Sequence, residues 1–463
     1  MYTKRIVAAT FVSLVASTAF GSGFSLYEPS VVSAAMGGAL VGKAMDASAN
    51  FNNPATLTDL TNIEVTVGFI TEHPRAQSRG KLNGSAWSGG DQNCDPGLFW
   101  LPHFQLAVPL PWDLSFGLSA SAEYGLGTEY DKGWAMDWSS KFTKVQGYVL
   151  NPNLAWKISE KWSVAVGLRW LFFDFEQTSD PLIAGEGYEL GRADNRLKGD
   201  NGFKSIGWVV GTKYDITENF SVGAVYKSAI DAPIDGKIST KVRRRDDAVI
   251  SGLADGAAKQ GLMQLGVPQA AWPMYYPQAY QKALSAVNGQ IDSGVGARNG
   301  GASCDITLPQ SVAFGFNWDI NDDHHLGMLF SWTQWSVMDS LHFRLAGGDR
   351  DVKLDWNDTW RASIGYRWDF AEDWSAMISY VFDQDCCLNE DQESAMLPPA
   401  HRNILTGGIC WSICKNLDFA FDYSCIFMDG GSFDMNDELG NRYHYETCRG
   451  FCHAVGCSLT FRF

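Results

Sequence analysis

The sequence predicts an all-β fold, a transmembrane antiparallel β-barrel of about 14 strands with an N-terminal hatch plugging the lumen. Three observations carry this. Segments of about ten residues alternate apolar and polar positions. The links between them alternate short and long. The last such segment runs to the chain end and stops on Phe463.

The alternation is plain from Thr359 to Phe370. Trp360, Ala362, Ile364, Tyr366, Trp368 and Phe370 share one parity, and Thr359, Arg361, Ser363, Gly365, Arg367 and Asp369 the other. In a strand the two sets point to opposite faces of the sheet. Trp374 to Asp383 and Leu417 to Ser424 repeat the pattern. One aromatic face and one polar face is what a strand between lipid and a wet lumen requires.

The turns add an independent signal. Short polar links stand at Pro111-Trp112-Asp113, Ser159-Glu160-Lys161, Asp215 to Asn219, Asn321-Asp322-Asp323, Ala371-Glu372-Asp373 and Lys415-Asn416. Long links fall between them, at 75–100, 126–144, 178–203, 241–305, 346–357, 384–400 and 430–449. Outer-membrane barrels sort their connections in this way, with short periplasmic turns and longer outer loops. Strands are expected to start near Ile63, Leu101, Asp113, Val145, Trp162, Phe203, Phe220, Ile306, Leu326, Thr359, Trp374, Asn403, Leu417 and Gly450.

Composition agrees. The chain has 463 residues, a formal net charge of -16 and 13% aromatic residues, with a mean hydropathy of -0.15. A barrel can be this polar because only every second residue meets lipid. The acidic balance argues against nucleic acid, whose phosphates need a basic surface. Lys4 and Arg5, the apolar run Ile6 to Phe20 and the small residues around Gly21 read as a secretory signal over residues 1–21. No later run reaches the roughly 18 apolar residues of a membrane helix. Ten cysteines in an exported chain invite disulfides, expected here as loop staples beside some buried thiols.

Two regions do not read as strands. Residues 22–62 are rich in small residues and are assigned to a hatch inside the lumen, followed by the barrel at 63–463. The long loop 241–305 has helical composition over Ala248 to Leu265 and Gln278 to Val287. Leu262, Met263, Trp272, Tyr275 and Tyr276 make it apolar for an outer loop, and a candidate outer capture surface. Arg243-Arg244-Arg245 opens this loop and could meet anionic lipopolysaccharide.

The residues also resemble a known family. Gly23-Phe24-Ser25-Leu26 looks like the mature start, and Asn53-Pro54-Ala55 like the hatch motif, of the FadL/TodX family of outer-membrane transporters for long-chain fatty acids and aromatic hydrocarbons. Glu123 to Tyr130, reading EYGLGTEY, looks like the segment around that family's kinked third strand. Leu308-Pro309, Trp335-Ser336 and Thr359-Trp360-Arg361 are further matches in order. The likeness runs from about Gly23 to Phe463, with gaps in the outer loops.

The resemblance implies passive uptake of a hydrophobic ligand, a fatty acid or a hydrocarbon. Loops capture it, the hatch moves near Phe24, Asn53, Pro54 and Ala55, and exit is lateral beside Tyr124, Gly125, Leu126 and Gly127. It implies a monomer in the outer membrane of a Gram-negative type of bacterium, delivered by barrel assembly machinery into lipid and lipopolysaccharide. The family's fatty acid members place basic residues near the ligand carboxylate. Here the matching position in the fifth strand falls near Asp174, so the candidate polar contacts are Arg169, His342 and Arg344. No catalytic elbow, metalloprotease motif or phosphate loop is present. No enzyme activity, cofactor or metal is expected. His324-His325 sits in a predicted turn, and Asp434 to Gly440 departs from calcium-loop spacing.

Overall fold

The computed structural model describes residues 23–27, 29–87, 91–184, 189–387 and 400–463. The expected signal peptide and part of the 384–400 link lie outside these residues. The described chain forms a closed antiparallel barrel of 14 strands. They are β1 (Glu64–Leu82), β2 (Phe99–Leu110), β3 (Leu114–Glu129), β4 (Phe142–Ser159) and β5 (Trp162–Ser179). Then come β6 (Glu189–Asp200, resumed at Ser205–Thr217), β7 (Phe220–Lys227, resumed at Ile230–Arg245), β8 (Gly300–Leu308, resumed at Ser311–Asn321) and β9 (His324–Thr333, resumed at Ser340–Leu345). The last five are β10 (Thr359–Ala371), β11 (Trp374–Asp383), β12 (Ala400–Cys414), β13 (Leu417–Gly430) and β14 (Arg442–Arg462). Neighbours in sequence pair in the wall, and β14 closes the barrel on β1 with Val65 opposite Phe461. Closure removes the unpaired edges that could not exist in lipid.

Parity decides which side chain meets lipid. Trp162 and Trp170 on β5, and Trp360 and Trp368 on β10, are all exposed on the outer wall. Each pair is eight residues apart. At a rise of roughly 3.3 Å per residue and a tilt near 40°, that spans about 20 Å, close to the apolar band of an outer-membrane barrel. The aromatic rows therefore mark the two edges of the bilayer. Trp374 and Trp411 stack across β11 and β12 with ring centroids 5.3 Å apart.

Strands begin within a few residues of where alternation places them, but several outer links are not loops. β1 runs on to Leu82 and β14 starts at Arg442, paired above the membrane. The reason is visible on the outer face of β1, where Val65, Val67 and Phe69 give way to His73, Arg75, Gln77, Arg79 and Lys81. Once both faces meet water, the ladder continues without an apolar period to reveal it. The long loop does fold into helices, α1 (Asp247–Gln264) and α2 (Trp272–Gly296). None of the ten cysteines is joined in a disulfide, so the expected staples are absent. Hydrogen-bonded ladders, not disulfides, hold the outer extensions.

The segment from Gly23 to Leu60 runs through the lumen and contacts strands on all sides. The wall grips its backbone with amides. Asn317 accepts from Gly42 N at 2.8 Å and donates to Ala39 O at 2.8 Å. Gln105 donates to Pro29 O at 3.0 Å, and in the other direction Asn50 of the segment donates to the wall at Leu106 O, 2.8 Å away. Two wall glycines make room. A Cβ on Gly223 would fall 1.8 Å from Val41 O, and one on Gly327 would fall 2.1 Å from Ala39 O.

Candidate functional site

β3 leaves the wall partway along its length. It pairs with β2 from Leu114 to Ala120, and no further. On its other side it stays with β4 as far as Glu129, with a bulge between Ala122 and Tyr124. β2 meanwhile continues against β1 up to Phe99. A gap therefore opens between β2 and β3 above Ala120. Tyr124, Gly125, Leu126 and Gly127 lie along it, and they line a cavity of about 180 Å³ with Leu26, Phe99 and Leu101.

The free edge of β3 is not left bare. Leu26 N donates to Glu123 O at 2.9 Å, and Gly125 N donates to Phe24 O at 2.9 Å. Three N-terminal residues thus replace β2 for one step of the ladder, satisfying backbone groups that would otherwise be orphaned. The same segment places Phe24 in an aromatic cage. Its ring centroid lies 5.0 Å from Trp335, 6.0 Å from Tyr124, 6.1 Å from Trp356 and 6.4 Å from Phe173. The cage opens into an apolar cluster with Leu171, Phe175, Ile306, Leu341 and Phe343. Phe24 fills the centre of this cage, space that its removal would open to an apolar ligand. Phe24→Ala is therefore expected to raise the affinity of purified protein for a fluorescent lipophile by several fold, read by titration. An unchanged or weaker affinity would show that the ring does not compete with ligand.

A charged chamber adjoins the clasp. Arg169 Nη2 lies 2.6 Å from Glu123 Oε2, and its Nη1 donates to Ser228 O at 3.0 Å. Lys227 Nζ is 3.7 Å from Glu123 Oε2 and sits over the Phe51 ring at 3.4 Å. Arg361 sits over Tyr27 at 4.0 Å. These groups line a cavity of about 80 Å³ containing three cations and one carboxylate. Charges this deep must be paired: Glu123 faces Arg169 and Lys227, and Arg361 lies 3.8 Å from the buried carboxylate of Asp383. The sequence pointed to Arg169. It did not point to Glu123, Lys227 or Arg361 as its companions, which only the barrel register brings together.

His342 and Arg344 stand elsewhere, and their expected inward orientation is corrected. Leu341 and Phe343 take the inner face of β9, so the alternate residues point out. His342 Nδ1 pairs with Asp351 at 2.5 Å, and Arg344 with Asp305 at 2.7 Å, both about half exposed. Asn53 anchors the lumen segment. It is wholly buried, donates to Val41 O at 2.6 Å and Thr212 O at 2.9 Å, and accepts from Ala55 N at 3.1 Å. Pro54 and Ala55 follow it at the start of a short 3₁₀ turn.

In the outer loop, Leu262 is buried within the helical hairpin, a correction to its expected place on a capture surface. Met263 and Tyr275 are exposed, together with Leu265 and Met274. Trp272 and Tyr276 are half-buried. Tyr276 Oη donates to Asp255 at 2.6 Å and Lys259 donates to the same carboxylate at 2.8 Å. These bonds, Lys259 first, hold Asp255 below the usual carboxylate range, so the tie between α1 and α2 is intact at neutral pH. The helices pack on the outer parts of β6 and β7 through Ile250, Ile291 and Val295.

Comparisons with known proteins match this geometry. The long-chain fatty acid transport protein of Escherichia coli O6:H1 is 22% identical over 492 residues, covering 100% of this chain and 99% of its own. Outer membrane protein P1 of Haemophilus influenzae is 19% identical over 469 residues, covering 91% of this chain and 90% of its own. Among solved structures, a Pseudomonas aeruginosa FadL homologue superposes with a TM-score of 0.75 at 19% identity, over 95% of this chain and 100% of that one. The Pseudomonas putida toluene transporter TodX superposes with a TM-score of 0.65 at 15% identity, over 96% of this chain and 100% of that one. A family model described as outer membrane protein transport protein (OMPP1/FadL/TodX) matches residues 12–463. The chain belongs to this family of transport proteins, and its place is the outer membrane of a Gram-negative type of bacterium.

Proposed function

We propose that this protein carries long-chain fatty acids passively across the outer membrane and releases them sideways into the bilayer. The observation that carries the reading is the gap between β2 and β3, bridged by Phe24 to Leu26. A lipophile that reaches the cage displaces Phe24. Loss of that anchor frees the Leu26–Glu123 and Gly125–Phe24 bonds and opens the gap. Leaving through the wall keeps an apolar chain out of a watery lumen, which is the cheaper path. Met263 and Tyr275 at the tip of the outer hairpin serve as the first capture surface.

Unpartnered donors favour a fatty acid over a neutral hydrocarbon. Among the described residues, the indole N–H groups of Trp335 and Trp356 and Nε of Arg169 are buried without a hydrogen-bond partner. Each such group costs about 1–3 kcal/mol. A carboxylate could satisfy them, and toluene could not.

The test is displacement of a fluorescent lipophile from purified, detergent-solubilised protein by oleate and by toluene. Oleate is expected to compete at lower concentration. Trp335→Phe with Trp356→Phe is expected to weaken oleate about tenfold, roughly 1.4 kcal/mol, and to leave toluene nearly unchanged. Displacement by toluene alone would assign the protein to neutral hydrocarbons instead.

A further inference from the structure

Just beyond β11, the chain turns inward at Asp385, Cys386 and Cys387. In an extended strand three consecutive side chains would alternate faces. Here all three are buried, with relative exposures of 4%, 0% and 2%. One donor atom from each, two sulfurs and a carboxylate oxygen, lies within 4.8 Å of the other two. The turn is held in that shape by its backbone. Cys387 N donates to Asp385 Oδ1 at 3.0 Å, and Asn357 N donates to Cys386 O at 2.8 Å. Both thiols belong to the apolar cluster that contains Trp356 and Phe24.

Packing alone does not call for this grouping. An apolar chamber wall is filled more cheaply by Val or Leu than by a carboxylate beside two thiols. We propose that Asp385, Cys386 and Cys387 form a site for a soft, thiolate-preferring cation of the zinc(II), cadmium(II) or copper(I) class. Two sulfurs select against calcium and magnesium, which take oxygen ligands. For a divalent ion the balance is simple. Each thiol gives up its proton to water, two metal–sulfur bonds form and the carboxylate supplies a third. The complex carries one net negative charge. The fourth tetrahedral position stays open to an exogenous donor. Through Asn357, the neighbour of Trp356, a bound ion would stiffen one wall of the aromatic cage.

The test uses cadmium(II) and full-length protein purified in detergent under a non-thiol reductant. Sulfur-to-cadmium charge transfer in the near ultraviolet reports thiolate ligation directly. In a chain with the other eight cysteines changed to Ser, the band is expected to saturate at one cadmium per chain. Adding Cys386→Ser and Cys387→Ser should abolish it, and Asp385→Asn should weaken binding at least tenfold. If the eight-serine chain lacks the heat-modifiability of a folded barrel, wild type is compared with the Cys386→Ser/Cys387→Ser chain, whose cadmium stoichiometry should fall by one. A folded eight-serine chain without the band, or an unchanged stoichiometry in the second comparison, would overturn the proposal. Neither result bears on fatty acid transport.

Discussion

Replacing Gly125 and Gly127 together with Val is expected to bring uptake of a labelled fatty acid down to the empty-vector level while the barrel stays folded. A Cβ at Gly125 would lie 2.8 Å from Leu26 Cδ1, and one at Gly127 would lie 2.1 Å from Phe99 Cζ. Both obstacles are the ends of side chains that reach into the gap, not backbone. Neither glycine has a positive φ, so neither position needs glycine's conformational freedom. Val suits an extended strand. The added methyls would fill the cavity at the break and pack Phe99 and Leu26 against β3. Stability should therefore change little, and heat-modifiability and surface level should match wild type. Undiminished uptake by a surface-verified double variant would remove the lateral route from consideration.

Asn53→Ala is expected to have the second largest effect. One buried amide serves Val41 O, Thr212 O and Ala55 N, and so ties the lumen segment both to itself and to β6. Its removal takes a donor from the buried Val41 O and from the part-buried Thr212 O, and an acceptor from Ala55 N. Unsatisfied groups of this kind cost about 1–3 kcal/mol each before water relieves them, enough to loosen the segment around this anchor. The wall keeps its ladders, since only one of the broken bonds reaches it. The expected outcome is a surface-expressed barrel whose residues around Gly23 to Leu60 become sensitive to added protease. Fatty acid uptake should fall with it, because the clasp and Phe24 ride on the same segment. A segment as resistant as in wild type would show that Asn53 is not the anchor.

Much of this architecture was legible before any coordinates. The wall strands announce themselves because lipid on one side and a filled, polar lumen on the other impose a strict period of two. Trp360 to Phe370 could hardly be anything else. The outer extensions were illegible for the converse reason. With water on both faces, Arg75, Gln77 and Arg79 carry no period, and their pairing with β14 is set by register alone.

The gap between β2 and β3 shows a similar division. Gly125 and Gly127 mark a weak point in β3, since small residues in a strand interior give a neighbour little to pack against. What fills the vacated edge is a segment about a hundred residues away in sequence, and no local pattern joins Phe24 to Gly125. Arg169 could be picked out as a cation in an apolar strand. Glu123 and Lys227 could not be matched to it, because they lie on β3 and β7 and meet only when the barrel closes. His342 and Arg344 misled because the resemblance, not the period, pointed to them: odd-numbered positions face inward on both halves of β9, Ser331 and Thr333 as well as Leu341 and Phe343, so even-numbered His342 and Arg344 point out.

The most direct measurement is uptake of labelled oleate by bacteria that lack their own fatty acid transporter and display this protein, verified at the surface. Uptake clearly above the empty-vector control is the expected result. Uptake at the vector level from a folded, heat-modifiable barrel would contradict fatty acid transport and turn attention to neutral aromatic and alkane ligands.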